Sequence, residues 1–368
     1  MKKYLGESNF QHDQLSSVGV LLVNLGTPDE PTPVAVRRYL GEFLWDPRIV
    51  ELPRWLWWMI LNFGVLNIRP KKSAKAYQKV WMTDGSPLLV ISKLQKQALA
   101  LELKQRFNDK LVVAVAMRYG NPSIYEALTS LKAAGVRKLL VLPLYPQYSA
   151  TTTASVFDAV VDVMKTWRWI PELRFINQYH DNPAYIKACA NRIEQHWQAD
   201  SQADMLVFSF HGLPKKNLEE GDPYYCHCHK TARLIAQALK LNESQWCLAF
   251  QSRFGRQEWL TPYTDQTLRE LPAKGIKSVD IFCPGFSADC LETLEEMAME
   301  NREVFLSVGG EQYNYIAALN DMPEHIQMLG DLIVNHVQGW HELSADNELA
   351  EQECAETKRH ALAKGAIN

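Results

Sequence analysis

Four acids stand out by their spacing. Asp289, Glu292, Glu296 and Glu300 follow one another at steps of three, four and four in VDIFCPGFSADCLETLEEMAMENR, residues 279–302. That repeat puts them on one face of a helix, where like charges repel and cost the helix stability. The apolar run 279–283 reads as a strand, broken by Pro284 and Gly285. The helix is expected to begin near Ser287 or Asp289, either of which could cap it. A carboxylate column that starts at the carboxyl end of a strand lies where open α/β sheets bind ligands. It is read as a route for cations or protons, in preference to an ordinary solvated face.

A second chemical group is His211, which follows the apolar run Met205–Phe210 directly and precedes Gly212. A histidine at a strand end faces the mouth of a cleft, where it can accept a proton near neutral pH or ligate a metal. Arg69, Tyr77 and Ser86 lie just beyond an aromatic segment, and Arg118 and Tyr119 follow the apolar run 112–117. Arginines there can grip carboxylates of a ligand, and Trp259 is either core or a stacking surface for a flat ligand. Cys226-His227-Cys228-His229 offers metal-ligand types, but neighbours in an extended chain point to opposite sides. A loop is expected there, with a metal or iron–sulfur site left open. The chain has no three-glycine dinucleotide fingerprint, no HExxH and no Gly-x-Ser-x-Gly elbow. Hydride transfer, ATP use and esterase chemistry are therefore unsupported.

The elements that must position these groups form a repeat. Val18–Leu25 closes on Gly26-Thr27-Pro28, and Met205–Phe210 closes on His211-Gly212-Leu213-Pro214. Gly135 to Pro143 followed by Tyr148-Ser149-Ala150 is matched by Gly275 to Pro284 followed by Phe286-Ser287-Ala288. Strands are expected also at 111–116, 174–176 and 247–251. Helices are expected at 34–43, 91–106, 123–134, 154–166, 183–198, 230–239 and 264–271. Alternation of this kind implies α/β architecture with parallel sheets covered on both faces. The fold class expected is α/β, two related doubly wound, Rossmann-like halves facing a central cleft. Their expected bounds are 15–170 and 171–338, with an apolar lip at 52–68 in the first half. A polar tail, 339–368, is expected to be a loose helix or disordered.

The bulk numbers narrow the class. The chain has 368 residues, a formal charge of −3 and no long basic run, so nucleic-acid binding is not indicated. Its seven cysteines are odd in number and irregular in spacing, and no signal peptide is evident, which suits reduced thiols in a cytosolic protein. Trp55–Ile68, WLWWMILNFGVLNI, is uncharged but too short to span a bilayer as a helix. Flanked by Arg54 and Arg69, it suits an interfacial segment or a ligand lip, and equally a buried helix or an oligomer contact.

Taken in order, LVNLGTPDEPTPVAVRRYL, GSPL, YPQYSATTT, SFHGLP, FQSRFGRQEWLTPYTD and CPGFSADCLETLEE resemble the ferrochelatases, most closely the proteobacterial ones, over roughly residues 19–321. The resemblance implies insertion of Fe²⁺ into protoporphyrin IX, the last step of haem synthesis. It implies that His211 is the active-site histidine and Glu292 the essential acid, both as catalytic groups and metal ligands. Asp289, Glu296 and Glu300 would form the proton or metal path. Leu25, Arg69, Tyr77, Ser86, Arg118, Tyr119, Tyr145, Trp259 and Phe286 would contact the porphyrin. No cofactor is required by the resemblance, since iron is a substrate. The [2Fe–2S] cluster of animal members is expected to be absent, because Ala150 stands at its first ligand position and the tail holds only Cys354; a bacterial type involving Cys226 and Cys228 stays open. Cys290 stands where animal members carry a histidine. The implied setting is the cytoplasmic face of the inner membrane, as a peripheral protein next to the preceding porphyrinogen oxidase. Alternatives are a same-fold chelatase for cobalt or coproporphyrin, and a non-catalytic haem carrier.

Overall fold

The structure is a computed structural model that describes residues 4–7, 10–255, 257–343 and 347–367. The first half runs β1 (Ser17–Thr27), α1 (Pro33–Trp45), α2 (Arg54–Met59), a π-helical stretch (Ile60–Val65), α3 (Leu66–Val80), α4 (Pro87–Phe107), β2 (Leu111–Gly120), α5 (Ile124–Ala133), β3 (Val136–Pro143), a π-helical turn (Ala150–Ala154), α6 (Ser155–Met164) and β4 (Glu172–Phe175). The second runs α7 (Pro183–Asp200), β5 (Met205–His211), α8 (Lys215–Glu219), α9 (Tyr224–Ala238), β6 (Trp246–Gln251), α10 (Thr264–Glu270), β7 (Ser278–Phe282), a π-helix (Glu292–Glu300), α11 (Asn301–Ser307), β8 (Gln312–Ile316), α12 (Pro323–His336) and α13 (Asn347–Ala363).

Each half carries one parallel four-stranded sheet, ordered β2-β1-β3-β4 and β6-β5-β7-β8. The two orders are the same, which is the repeat seen in the motifs. β1 is buried on both faces along nearly its whole length, because helices cover the sheet from either side. In each sheet the chain leaves the central strand toward one side and returns on the other, so the carboxyl ends of β1 and β5 lie at the switch points where crevices form. A single apolar core joins the halves, drawing residues from β1 and β3, from β5 and β6, and from α4, α7, α9 and α12.

Several expectations are corrected. The boundary expected at residue 170 falls short of β4, which pairs with β3 and so belongs to the first sheet. The tail takes the first of its two expected forms, a helix: α13 has 17 residues and is tied to the N-terminal arm where Lys358 donates to Asp13. Cys226 to His229 form the first turns of α9 rather than a loop. At helical spacing Cys228 faces the core, fully buried, while Cys226 is exposed. The expected start of the acidic helix is displaced as well. The π-helix begins at Glu292, no side chain caps it, and Asp289 lies outside it.

The apolar segment is buried on one face and exposed on the other. Trp57, Leu61 and Leu66 pack with Leu44 of α1 in a small core of their own, and the Trp57 indole donates to the Leu44 carbonyl at 2.6 Å. The opposite face leaves Trp55, Phe63 and Ile68 exposed at 69%, 72% and 74%. Among the described residues no helix is long and apolar enough to cross a membrane.

Candidate active site

The crevices at the ends of β1 and β5 merge into one cavity between the halves, enclosing ≈ 1420 Å³ of space with its open mouth included. His211 and Glu292 both line it. His211 is the last residue of β5, and Gly212 turns the chain so tightly that a Cβ there would meet the Gln251 carbonyl oxygen at 2.8 Å. Near the end of β1, Gly26 (φ +123°) allows a close approach of β2, since a Cβ would lie 1.8 Å from the Tyr119 oxygen.

The imidazole has a defined orientation. Its Nδ1 lies 2.7 Å from the Gly212 carbonyl oxygen. A carbonyl can only accept, so Nδ1 carries the proton and Nε2 holds the free lone pair. The Tyr224 hydroxyl donates to the His211 carbonyl at 3.0 Å and anchors the turn against α9.

The expected site residues divide into three groups. Leu25, Tyr77 and Ser86 from the first half, with Tyr145, line the cavity beside Trp259 and Phe286 from the second. Ser86 is also the N-cap of α4, accepting from the Leu89 N–H at 3.3 Å. Trp259 is buried, and its indole donates to the Phe254 carbonyl at 2.9 Å. Arg69 is outside the wall but sits at its rim, with its guanidinium 4.9 Å from the centre of the Phe254 ring, itself a wall residue.

Arg118 and Tyr119 do not line the cavity; they stand behind it. Arg118 Nη2 pairs with Asp46 at 2.6 Å and its Nε donates to the Ser155 hydroxyl at 2.6 Å. The Tyr119 hydroxyl donates to the same carboxylate at 2.8 Å. Burial alone would raise the Asp46 pKa, but donors from Ser155, the Arg48 backbone and Tyr119, with the Arg118 charge, hold it below the usual carboxylate value. A guanidinium committed to a buried internal acid is not a free grip for a ligand.

The acid column is also redrawn. Asp289 is buried and held by the Tyr315 hydroxyl (2.6 Å), the Asn320 amide (2.7 Å) and the Thr293 hydroxyl (3.0 Å). It ties β8 to the start of the π-helix and is structural. Glu296 lies behind Glu292, where the Ser252 backbone N–H donates to it at 2.8 Å and the Ser252 hydroxyl donates to its other oxygen. Burial, with the Glu292 and Glu300 charges adding to it, pushes the Glu296 carboxyl up to about 7, against the pull of the Ser252 bonds. Glu300 is exposed. The sequence reading passed over Glu295, which is buried and bonded to Lys79 of α3 at 2.6 Å.

Residues missed include Asn24, Gln147, Thr151 and Cys290, all on the wall. Asn24 did leave a signal, as a polar residue inside the apolar run VLLVNL. The wall holds no lysine or arginine among the described residues; its charge-bearing side chains are His211 and Glu292. Away from it, His227 stacks on His180 with ring centres 3.7 Å apart, and its Nδ1 accepts from the Tyr148 N–H. Among the described residues no cluster of three or more His, Cys, Asp or Glu could hold a metal ion.

Fold and site together define a class: a duplicated α/β protein whose apolar cleft suits a large flat ligand and presents one imidazole and one carboxylate to it. The solved structure of SirB from Bacillus subtilis with Fe3+ shares the fold, with a TM-score of 0.52 over 88% of this chain and 97% of that one at 12% identity. The profile of the ferrochelatase family matches residues 17–337, and on that match the chain belongs to the ferrochelatase family. The ferrochelatase of Marinobacter nauticus is 56% identical over 337 residues, covering 92% of this chain and 91% of that one. That of Idiomarina loihiensis is 53% identical over 360 residues, covering 98% and 99%.

Proposed function

We infer that this chain carries out its family's reaction, the insertion of Fe²⁺ into protoporphyrin IX to give protohaem, the last step of haem synthesis. The observation that carries the residue roles is that His211 and Glu292 open onto one apolar cavity. A porphyrin must lose two pyrrole protons before it holds a divalent metal in its plane. His211 Nε2, free because Nδ1 is bonded, is the base that takes one. Carboxylate and imidazole are suitable donors for Fe²⁺ in transit, so Glu292 hands the metal to the ring, and His211 Nε2 can hold it only before taking its proton; the second pyrrole proton leaves along Glu296. Glu292, Glu296 and Glu300 lead from the cavity to solvent, and a carboxyl near neutrality in the middle can both take and release a proton.

The aromatic and aliphatic wall binds the macrocycle and supports its distortion, which exposes the nitrogen lone pairs to the incoming metal. Arg69 at the rim takes a propionate. Among the described residues the wall carries no lysine or arginine, which favours the two propionates of protoporphyrin, held at the mouth, over the four of coproporphyrin. No iron–sulfur cofactor is assigned to Cys226 and Cys228, since Cys228 points into the core and burial pushes its thiol well up. The exposed face of Trp55, Phe63 and Ile68 rests in the headgroup layer of the inner membrane, where the poorly soluble substrate arrives from the preceding oxidase.

The test is anaerobic turnover with protoporphyrin and Fe²⁺, followed optically. His211→Ala and Glu292→Gln are expected to lose metallation while still quenching porphyrin fluorescence on binding. Full turnover by either variant would overturn the assigned roles, and a wild type that binds without turnover is a carrier.

A further inference from the structure

Gln251 is the last residue of β6, almost fully buried, and is absent from the cavity wall. Burying a primary amide costs free energy unless both ends are bonded, and here both are. Its Oε1 accepts from the Ser209 hydroxyl at 2.7 Å, with the Cys283 thiol at 3.7 Å. Its Nε2 donates to the backbone carbonyl of Glu292 at 3.2 Å. Its own carbonyl accepts from the Gly212 N–H at 2.8 Å. Gly212 in turn accepts from His211 Nδ1 at 2.7 Å. In the parallel register His211 and Gln251 are partners. One residue therefore bonds the backbone on which Glu292 hangs and the turn that orients the His211 ring.

We propose that Gln251 is a positioning residue for metal insertion, setting the separation and aim of His211 and Glu292 without touching the substrate. The physical need is specific to this site. No side chain caps the π-helix that carries Glu292. Its first residue is attached to the second sheet through the Gln251 amide. An apolar residue of equal size would leave the Glu292 carbonyl without this donor and the Ser209 hydroxyl with Thr264 as its remaining hydroxyl partner. The selected role is thus geometric, and errors of about 1 Å at a reacting centre cost on the order of 100-fold in rate.

The inference rests on the His211 and Glu292 roles proposed above, so the experiment runs those variants alongside. Full-length Gln251→Met and Gln251→Glu are compared with wild type for Fe²⁺ insertion, porphyrin binding and melting temperature. Met fills the volume with no polar atom, and Glu keeps the acceptor for Ser209 while replacing the donor to Glu292. The expected result is a fall in kcat of about 10- to 100-fold in both variants. The porphyrin KM should stay within about twofold, since the residue does not reach the wall. On a Glu292→Gln background, Gln251→Met should cost much less than it does alone, because the aim of the lost carboxylate no longer matters. Unchanged kcat in a folded variant overturns the proposal, as does a KM rising in step with falling kcat, or full additivity with Glu292→Gln. If His211→Ala and Glu292→Gln keep activity, the underlying roles fail; if they lose it while Gln251→Met does not, only the positioning role fails.

Discussion

Replacing Glu296 by Gln probes the middle of the acid path through its effect on stability. The Glu296 carboxyl is pushed from an ordinary 4.5 to about 7 in the folded chain. Folding therefore favours the protonated form. The contribution to stability is fully present below about 4.5 and is lost as pH rises through about 7. A displacement of that size corresponds to about 3 kcal/mol at 1.36 kcal/mol per unit. Gln cannot ionise, so the variant escapes this loss, whatever fixed cost it carries from altered bonding to Ser252. An unfolding entropy of about 2.1 cal/mol/K per residue over a chain of this length converts 3 kcal/mol to roughly 4 °C. The assay is the melting temperature of both proteins from pH 4.5 to 8.5. Glu296→Gln is expected to gain about 4 °C on wild type across that range, with most of the change between pH 5 and 7.5. A difference that is flat with pH would refute the elevated pKa, and with it the idea that Glu296 exchanges a proton near neutrality.

Two further outcomes are expected. Changing Trp55, Trp58 and Phe63 together to Ser should lower partition onto vesicles by roughly two orders of magnitude, at about 1 kcal/mol per side chain, and leave metallation of detergent-dispersed porphyrin intact; unchanged sedimentation with vesicles would remove the membrane role. Asp46→Ala should lose about 3–5 kcal/mol, because it leaves the Arg118 charge unpaired behind the wall, and a melting temperature within a degree of wild type would show that the pair is not buried in solution.

Much of the site was readable from local pattern. Apolar runs ending in a small polar turn located the carboxyl edges of β1 and β5, and a histidine at such an edge marked the cleft. The acid spacing also survived in part, since Glu292, Glu296 and Glu300 run from the wall to the surface. Other readings failed where the partner is distant in sequence. Arg118 and Asp46 are 72 residues apart, and no local feature shows that they pair. Asp289 looked like the first acid of a helical face, yet its partners come from the loop and strand around residues 315–320. The Cys-His-Cys-His run was expected to be a loop because Gly221-Asp222-Pro223 precedes it; instead Pro223 stands just before the first turn of α9, where a missing N–H costs nothing.

Periodicity and strand-end chemistry, which depend only on neighbours a few residues away, determined the duplicated α/β plan, the histidine at a cleft edge and the row of acids; the choice of Glu292 among them came from the family resemblance. The tertiary structure alone decided which charges are free. Ion pairs and buried amides form between segments brought together by the shared core, and only there do the donors and charges around a buried acid separate a structural carboxylate such as Asp46 from a titrating one such as Glu296. The attachment of Glu292 through Gln251 belongs to the same category, because it depends on a contact with β6 that no stretch of the helix itself encodes.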